Sequence, residues 1–332
     1  MGKGRKKVIG LICLIGLMGF GSGVTQGAEI TLRYAGNLPL EHHVTKGQEL
    51  YAKLIMEKTK GKVKVEVYPA GQLYSDKDMT RALPSGAVDM GTVTNDQWTG
   101  LVPSLMSLQL NLFYDDRPHW WRTMDGETGE ILKKELEKVG VKLLYWMDYG
   151  AVELATKFPL RKLEDIKGKR MRGYGETSVK YLGLLGSIPT FLGGGEMYMA
   201  LQRGIIDGVY SGTTSFYDRK IYEVTKYVCI GPHNFSPFLV LINLEKWNQL
   251  PADVQKAMLE VAPTAQEWGR KECEKKDIEC LELLKQKGME VNVLSPEEKK
   301  RWREASKGII DIFLKRAGNL GEKLLALAEK AR

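Results

Sequence analysis

Cysteine and histidine are scarce in this chain, four of each in 332 residues. Cys13 lies in an apolar leader, which leaves Cys229, Cys273 and Cys280. Three thiols cannot all pair with one another. Cys273 and Cys280, seven apart on what reads as one helix, would stand roughly 10 Å apart along its axis, too far for a bridge. They are expected to be small buried apolar residues. His42-His43, His119 and His233 have no partners at metal-ligand spacing, so no metal site is expected. A strong excess of one charge is also missing. Without Lys3, Arg5, Lys6 and Lys7 of the leader, the 49 lysines and arginines fall to 45 against 41 acids, an excess of four. No basic cluster interleaves with aromatics, which argues against a nucleic-acid partner. Long apolar runs are absent as well. Residues 8–20 follow the four cations and precede small residues, and a run of about 13 is too short to span a bilayer. Residues 1–28 therefore read as a secretory signal peptide. Cys13 does not read as a lipoprotein anchor, because Ile12 is bulky where such signals place a small residue.

What is present is an alternation of strands and helices. Ile30, Leu32 and Tyr34 alternate as a strand, and Leu50, Tyr51, Leu54 and Ile55 form one helix face. Val63, Val65 and Val67 alternate again, so the opening is β-α-β with parallel strands expected in an α/β layer fold. A helix over 76–83, a strand over 88–93, a helix over 129–138 and a strand over 141–147 follow, with an irregular aromatic stretch in between. Asp148-Tyr149-Gly150 is expected to cross into a second domain, since the 304 residues left after the leader exceed one usual core. Separate strands are expected at 227–231 and 239–243. Apolar positions from Val254 to Leu284 predict a helix over 251–288, long enough to lie across both domains. Ser295-Pro296-Glu297-Glu298 should cap another. The expected division is 29–149 with about 239–278, and 150–238 with about 279–332. An internal echo supports two related halves: Ala82-Leu83-Pro84-Ser85-Gly86-Ala87-Val88-Asp89 resembles Ala200-Leu201-Gln202-Arg203-Gly204-Ile205-Ile206-Asp207.

The candidate chemistry concentrates in residues 160–214. In Lys169-Arg170-Met171-Arg172-Gly173, a short strand would place Arg170 and Arg172 opposite Met171 and aim a guanidinium into a cleft. A planar guanidinium offers two parallel N–H donors matched to a carboxylate. The competing role for Arg172 is a structural ion pair with Glu176. Gly193-Gly194-Gly195 lacks the Gly-Lys-Ser/Thr ending of a phosphate loop and suits close backbone approach instead. Ser211 and Ser215 have no nucleophile-elbow setting, and Asp165, Glu196 and Asp207 suit turns and caps. Neither catalysis nor a cofactor is expected.

Several motifs, taken in order, carry a resemblance. Val67-Tyr68-Pro69-Ala70-Gly71-Gln72-Leu73, Asp165-Ile166-Lys167-Gly168-Lys169-Arg170-Met171-Arg172, Glu196-Met197-Tyr198-Met199-Ala200-Leu201-Gln202-Arg203-Gly204 with Asp207-Gly208, and Trp247 before Leu250-Pro251 look like the solute-binding proteins of tripartite ATP-independent periplasmic (TRAP) transporters. The resemblance runs from about residue 31 to at least 251. It implies a two-domain periplasmic clamshell with crossing strands and a long hinge-spanning helix, closing on a small organic acid for a TRAP membrane permease. It places the ligand carboxylate on Arg172. Around it, Asn37, Thr94, Asn95, Trp98, Tyr149, Glu153, Phe191, Tyr210, Ser211 and Tyr217 are expected to line the cleft. The chain departs from the sialic-acid binders, which carry a second arginine where this one has Gly150-Ala151-Val152-Glu153. A single anchor among aromatic residues favours a monocarboxylate with an apolar or aromatic body. A dicarboxylate or sugar-acid binder, or a periplasmic sensor for a receptor, is the alternative. A monomer is expected.

Overall fold

The computed structural model describes residues 30–332 together with Met1 and Gly2, so the expected leader lies almost wholly outside the described residues. The first half opens with β1 (Ile30–Gly36), α1 (His43–Lys58), β2 (Val63–Tyr68), α2 (Asp76–Ala82), β3 (Met90–Thr94) and the single turn α3 (Asn95–Trp98). A 3₁₀ segment at Pro103–Gln109 leads to α4 (Arg117–Asp125) and α5 (Glu127–Glu137). The long strand β4 (Val141–Thr156) then enters the second half, which holds β5 (Arg170–Gly173), α6 (Glu176–Leu184), β6 (Ile188–Phe191), α7 (Met197–Gln202), β7 (Gly208–Gly212) and α8 (Thr213–Asp218). Strand β8 (Tyr227–Asn243) returns to the first half, followed by α9 (Leu244–Gln249) and the 35-residue α10 (Ala252–Gln286). The chain finishes with β9 (Glu290–Val293), α11 (Pro296–Ser306), α12 (Gly308–Ala317) and α13 (Asn319–Lys330).

All nine described strands share one sheet in the order β2-β1-β3-β8-β4-β7-β5-β6, with β9 on the outer side of β8. β1 runs parallel to β2 and β3, and β5 parallel to β6 and β7, as the βαβ pattern requires. The two halves are joined by antiparallel pairing of β4 with β8 along nearly their whole length. This corrects the expectation of two short strands at 227–231 and 239–243: β8 is continuous for 17 residues. Pro237, within it, pairs opposite Asp148 where the ladder is already bulged.

The internal echo is structural. In each half a helix ends, a glycine with positive φ turns the chain (Gly86 at 73°, Gly204 at 70°), and an aspartate precedes the next strand. Asp89 accepts from the amide of Arg33 at 2.8 Å, and Asp207 from the amide of Arg170 at 2.9 Å. Each aspartate also takes its arginine's Nε, at 3.3 and 3.0 Å.

The crossing is pinned from behind by α10. Gly150 stands at φ 109° beside the bulge in β4, and a Cβ there would meet the Asp277 carboxylate at 2.8 Å and Cys273 Sγ at 3.0 Å. Arg117 reaches both Asp277 and the buried Asp148, and Asp277 also accepts from the amide of Ala151 at 3.2 Å. The last two helices had been expected with the second half. α13 packs against 103–109, α4 and α5 of the first, where His119 Nε2 meets the carbonyl of Ala328 at 2.8 Å, while α12 packs against both 103–109 and α6 of the second, with Arg316 paired to Glu176. Cys229, Cys273 and Cys280 are free and buried.

Candidate ligand-binding cleft

The ends of the parallel strands converge where the halves meet, and they line a small cavity of about 30 Å³. Carboxyl ends of strands are where α/β sheets collect ligands, because loops and helix starts open there. From the first half come Asn37 and Leu38 after β1, Asp76 at the start of α2, and Thr94 at the end of β3. The crossing strands supply Tyr149, Ser236 and Phe238. The second half adds Arg172 and Tyr174, Gly194 and Met197, then Ser211, Ser215 and Arg219.

Arg172 is 3% exposed. Its Nε donates to the carbonyl of Leu192 at 2.8 Å and one terminal nitrogen to that of Tyr210 at 3.1 Å. Neutral carbonyls orient the guanidinium without cancelling its charge, and burial pulls its pKa down to about 10. The structural alternative fails on geometry: Glu176 pairs with Lys180 and Arg316. Arg219 is a second guanidinium on the wall, donating to the carbonyl of Asn37 at 2.9 Å while its buried Nε has no partner among the described residues. Asp76 accepts from the amide of Gly194 at 3.2 Å across the cleft, and burial raises its pKa against the pull of that bond and of Arg219. Gly194 thus makes the close backbone approach expected of the glycine run.

The far wall is a polar relay. Tyr149 hydroxyl lies 2.9 Å from Ser211 Oγ and 2.8 Å from Ser215 Oγ, and it accepts from the amide of Gly212 at 3.1 Å. His42 stacks flat on the Tyr149 ring with centroids 5.5 Å apart. Facing the same cavity, Asn37 Oδ1, Asp76 Oδ1 and Thr94 Oγ1 are buried without a partner among the described residues.

Of the residues expected at the cleft, the structure brings Arg172, Asn37, Thr94, Tyr149 and Ser211 together on this wall. The others sit elsewhere, for identifiable reasons. Asn95 turns into the first half, donating to the carbonyl of Leu105 and to Gln109, and Trp98 is core beside it. Glu153 does not line the cavity and accepts from the amide of Gly231 on β8. Phe191 ends the edge strand and lines an outer groove with Lys77 over its ring. Tyr210 gives Arg172 its carbonyl while its hydroxyl accepts from Asn111. Tyr217 packs on Tyr222 in the second-half core. Sequence reasoning missed Asp76, Tyr174, Ser215 and Arg219 as wall residues. Position was the one available signal for the first three, with Asp76 and Ser215 in the first turns of helices and Tyr174 just after β5; Arg219, at the far end of α8, had none.

Comparison with known proteins gives a consistent answer. Residues 34–316 match the model of the family described as DctP, bacterial extracellular solute-binding protein, family 7. The C4-dicarboxylate-binding periplasmic protein DctP of Rhodobacter capsulatus is 31% identical over 280 residues, 82% of this chain and 83% of that one. The 2,3-diketo-L-gulonate-binding periplasmic protein YiaO of Escherichia coli is 27% identical, over 86% and 88% of the two chains. Among solved structures, a TRAP periplasmic solute-binding protein from Sulfurospirillum deleyianum with bound succinate superposes with a TM-score of 0.86 at 29% identity, covering 92% of this chain and all of that one.

Proposed function

The chain belongs to family 7 of the bacterial extracellular solute-binding proteins, the periplasmic binding components of TRAP transporters, and from that premise we propose that Arg172 anchors the carboxylate of a small organic acid. The family binds such acids and works with a membrane permease. The observation that carries the assignment is a buried guanidinium on a cavity wall, oriented by two carbonyls and ion-paired with no carboxylate among the described residues. A charge held out of water in this way is costly alone and favourable once a carboxylate arrives.

The wall argues for the kind of acid. Two guanidiniums and one carboxylate, Arg172, Arg219 and Asp76, leave one net positive charge, which a monocarboxylate balances. The apolar or aromatic body expected on the sequence suits one side only, Tyr149, Tyr174, Met197 and Phe238. Partnerless oxygens on Asn37, Asp76 and Thr94 favour an oxygen-rich body instead. We take the ligand to be a polar monocarboxylate.

In the proposed mechanism two bodies, 30–149 with about 239–278 and 150–238 with the chain up to α11, open and close about the β4–β8 crossing. α13 rides with the first, and α12 lies against both. Ligand bridging the halves shifts the population towards the closed form, which presents one surface to the permease. The chain acts as a monomer, is exported by the leader of residues 1–28, and performs no chemistry on its ligand. Thermal-shift screening of the refolded protein against organic acids tests this. Saturation at a hundred times the dissociation constant adds about 2.7 kcal/mol. In calorimetry Arg172→Ala should cost the hit about 2 kcal/mol or more in binding. Unchanged affinity removes Arg172 from the site.

A further inference from the structure

The hydroxyls on the far wall have a fixed direction, and it can be followed atom by atom. The amide of Val44 donates to His42 Nδ1 at 3.2 Å, so Nδ1 carries no proton and the neutral ring bears its hydrogen on Nε2. Nε2 faces Ser215 Oγ at 3.5 Å and points that hydrogen at it. Burial agrees with the neutral ring, holding the His42 pKa well below its ordinary value. Tyr149 donates its single hydrogen to Ser215 as well. Both lone pairs of Ser215 Oγ therefore face donors, and its own hydrogen has no acceptor among the described residues. Because Tyr149 has spent its hydrogen, its bond with Ser211 runs the other way: Ser211 donates to Tyr149, and Ser211, a residue of the cavity wall, keeps lone pairs for a ligand donor. Ser211 follows Tyr210, whose carbonyl holds the Arg172 guanidinium, so this acceptor stands beside the place of the ligand carboxylate.

Resting on the carboxylate site described above, we propose that the cavity selects a 2-hydroxy acid over the 2-oxo or 2-deoxy acid of the same skeleton, because the wall offers an acceptor at Ser211 and a donor at Ser215 in a fixed order. A 2-hydroxyl satisfies Ser211 with its hydrogen, while an oxygen of the ligand takes the hydrogen of Ser215. A 2-oxo group pairs with Ser211 only if that hydroxyl turns from Tyr149 and gives up their bond, and a methylene leaves the serine's lone pairs unused. Asp76 Oδ1, also without a donor among the described residues, asks for a further hydroxyl on the ligand. His42 is a positioning residue in this scheme. It holds the sense of the relay and does not reach the ligand.

Calorimetry on matched pairs tests the proposal: gluconate against 2-oxogluconate, malate against oxaloacetate and succinate, lactate against pyruvate and propionate. For each skeleton that binds, the 2-hydroxy acid should be favoured roughly tenfold or more. Ser211→Ala should reduce that ratio to within about threefold while the carboxylate is still held. His42→Gln, which keeps a donor near the Nε2 position, should preserve the ratio, and His42→Leu should lower it. Because the readout is a ratio of ligands, a general loss of stability does not imitate it. Equal or tighter binding of the oxo acid in the unaltered protein overturns the relay and leaves the Arg172 site standing. Binding of no carboxylate at all overturns both.

Discussion

Asp96, in the first half, accepts a 2.9 Å hydrogen bond from the amide of Ser178, in the second, and a 2.7 Å bond from the amide of Thr177 beside it. The carboxylate thus caps α6 from across the cleft, where free amides and the helix dipole favour a negative charge. The fit is close: a Cβ on Gly175 would come within 2.5 Å of the Asp96 carboxyl carbon. A cap of this kind contributes about 1 kcal/mol, and here the bonds exist only with the halves together. Asp96→Ala should weaken ligand binding about fivefold to tenfold and enlarge the ligand-bound particle in solution X-ray scattering. An unaltered affinity would show that closure does not depend on the cap.

Asp76→Asn keeps an oxygen for the Gly194 amide and removes a charge, raising the net charge of the cavity wall from one to two. The variant should gain affinity for a dicarboxylate relative to a monocarboxylate by about tenfold, roughly 1.4 kcal/mol. Competition calorimetry with one acid of each kind reads the ratio, and an unmoved ratio would place Asp76 outside the ligand's field.

Gly150→Ala meets two obstacles at once, a φ of 109° that side chains rarely adopt and the Asp277 carboxylate at 2.8 Å. We expect a loss of about 2 kcal/mol or more in urea unfolding. Smaller losses would mean that the β4 crossing relaxes freely away from α10.

Acid should weaken the fold through the buried histidines. Burial lowers the His43 pKa from 6.5 to about 4, so between those values the unfolded chain binds a proton that the folded chain refuses. Stability from this group is complete above 6.5 and is lost as pH falls, about 2 kcal/mol by pH 5. Asp218, raised to about 6 by burial, acts in the opposite sense, losing stability as pH rises from 3.8 to 6. Comparing thermal melts of the unaltered protein and His43→Gln at pH 7 and pH 5 separates the two. The variant should lose less on acidification, and identical slopes would contradict the assignment.

The parallel strands, the 35-residue helix and the paired motifs around Asp89 and Asp207 were legible because period and capping are local properties of the chain. Alternation placed Arg170 and Arg172 alike opposite Met171, and the motif resemblance chose Arg172; Asn37, Thr94 and Ser211 lie at the ends of recognisable strands. Arg219 was not legible. Nothing near it in sequence marks it, and it reaches the cavity only because α8 packs back against β4 and α10. The same holds for Trp98 and Tyr217, whose aromatic character suits a core and a pocket equally until the packing decides. The continuity of β8 was not legible locally, since it depends on pairing with β4 along nearly the whole of its length.

The most direct test is a crystal structure of the protein with the tightest-binding acid from the screen. The account predicts a ligand carboxylate oxygen about 3 Å from the Arg172 guanidinium, with the body of the ligand towards Ser211, Ser215 and Asp76. A carboxylate bound elsewhere, with Arg172 still held only by the carbonyls of Leu192 and Tyr210, would contradict it.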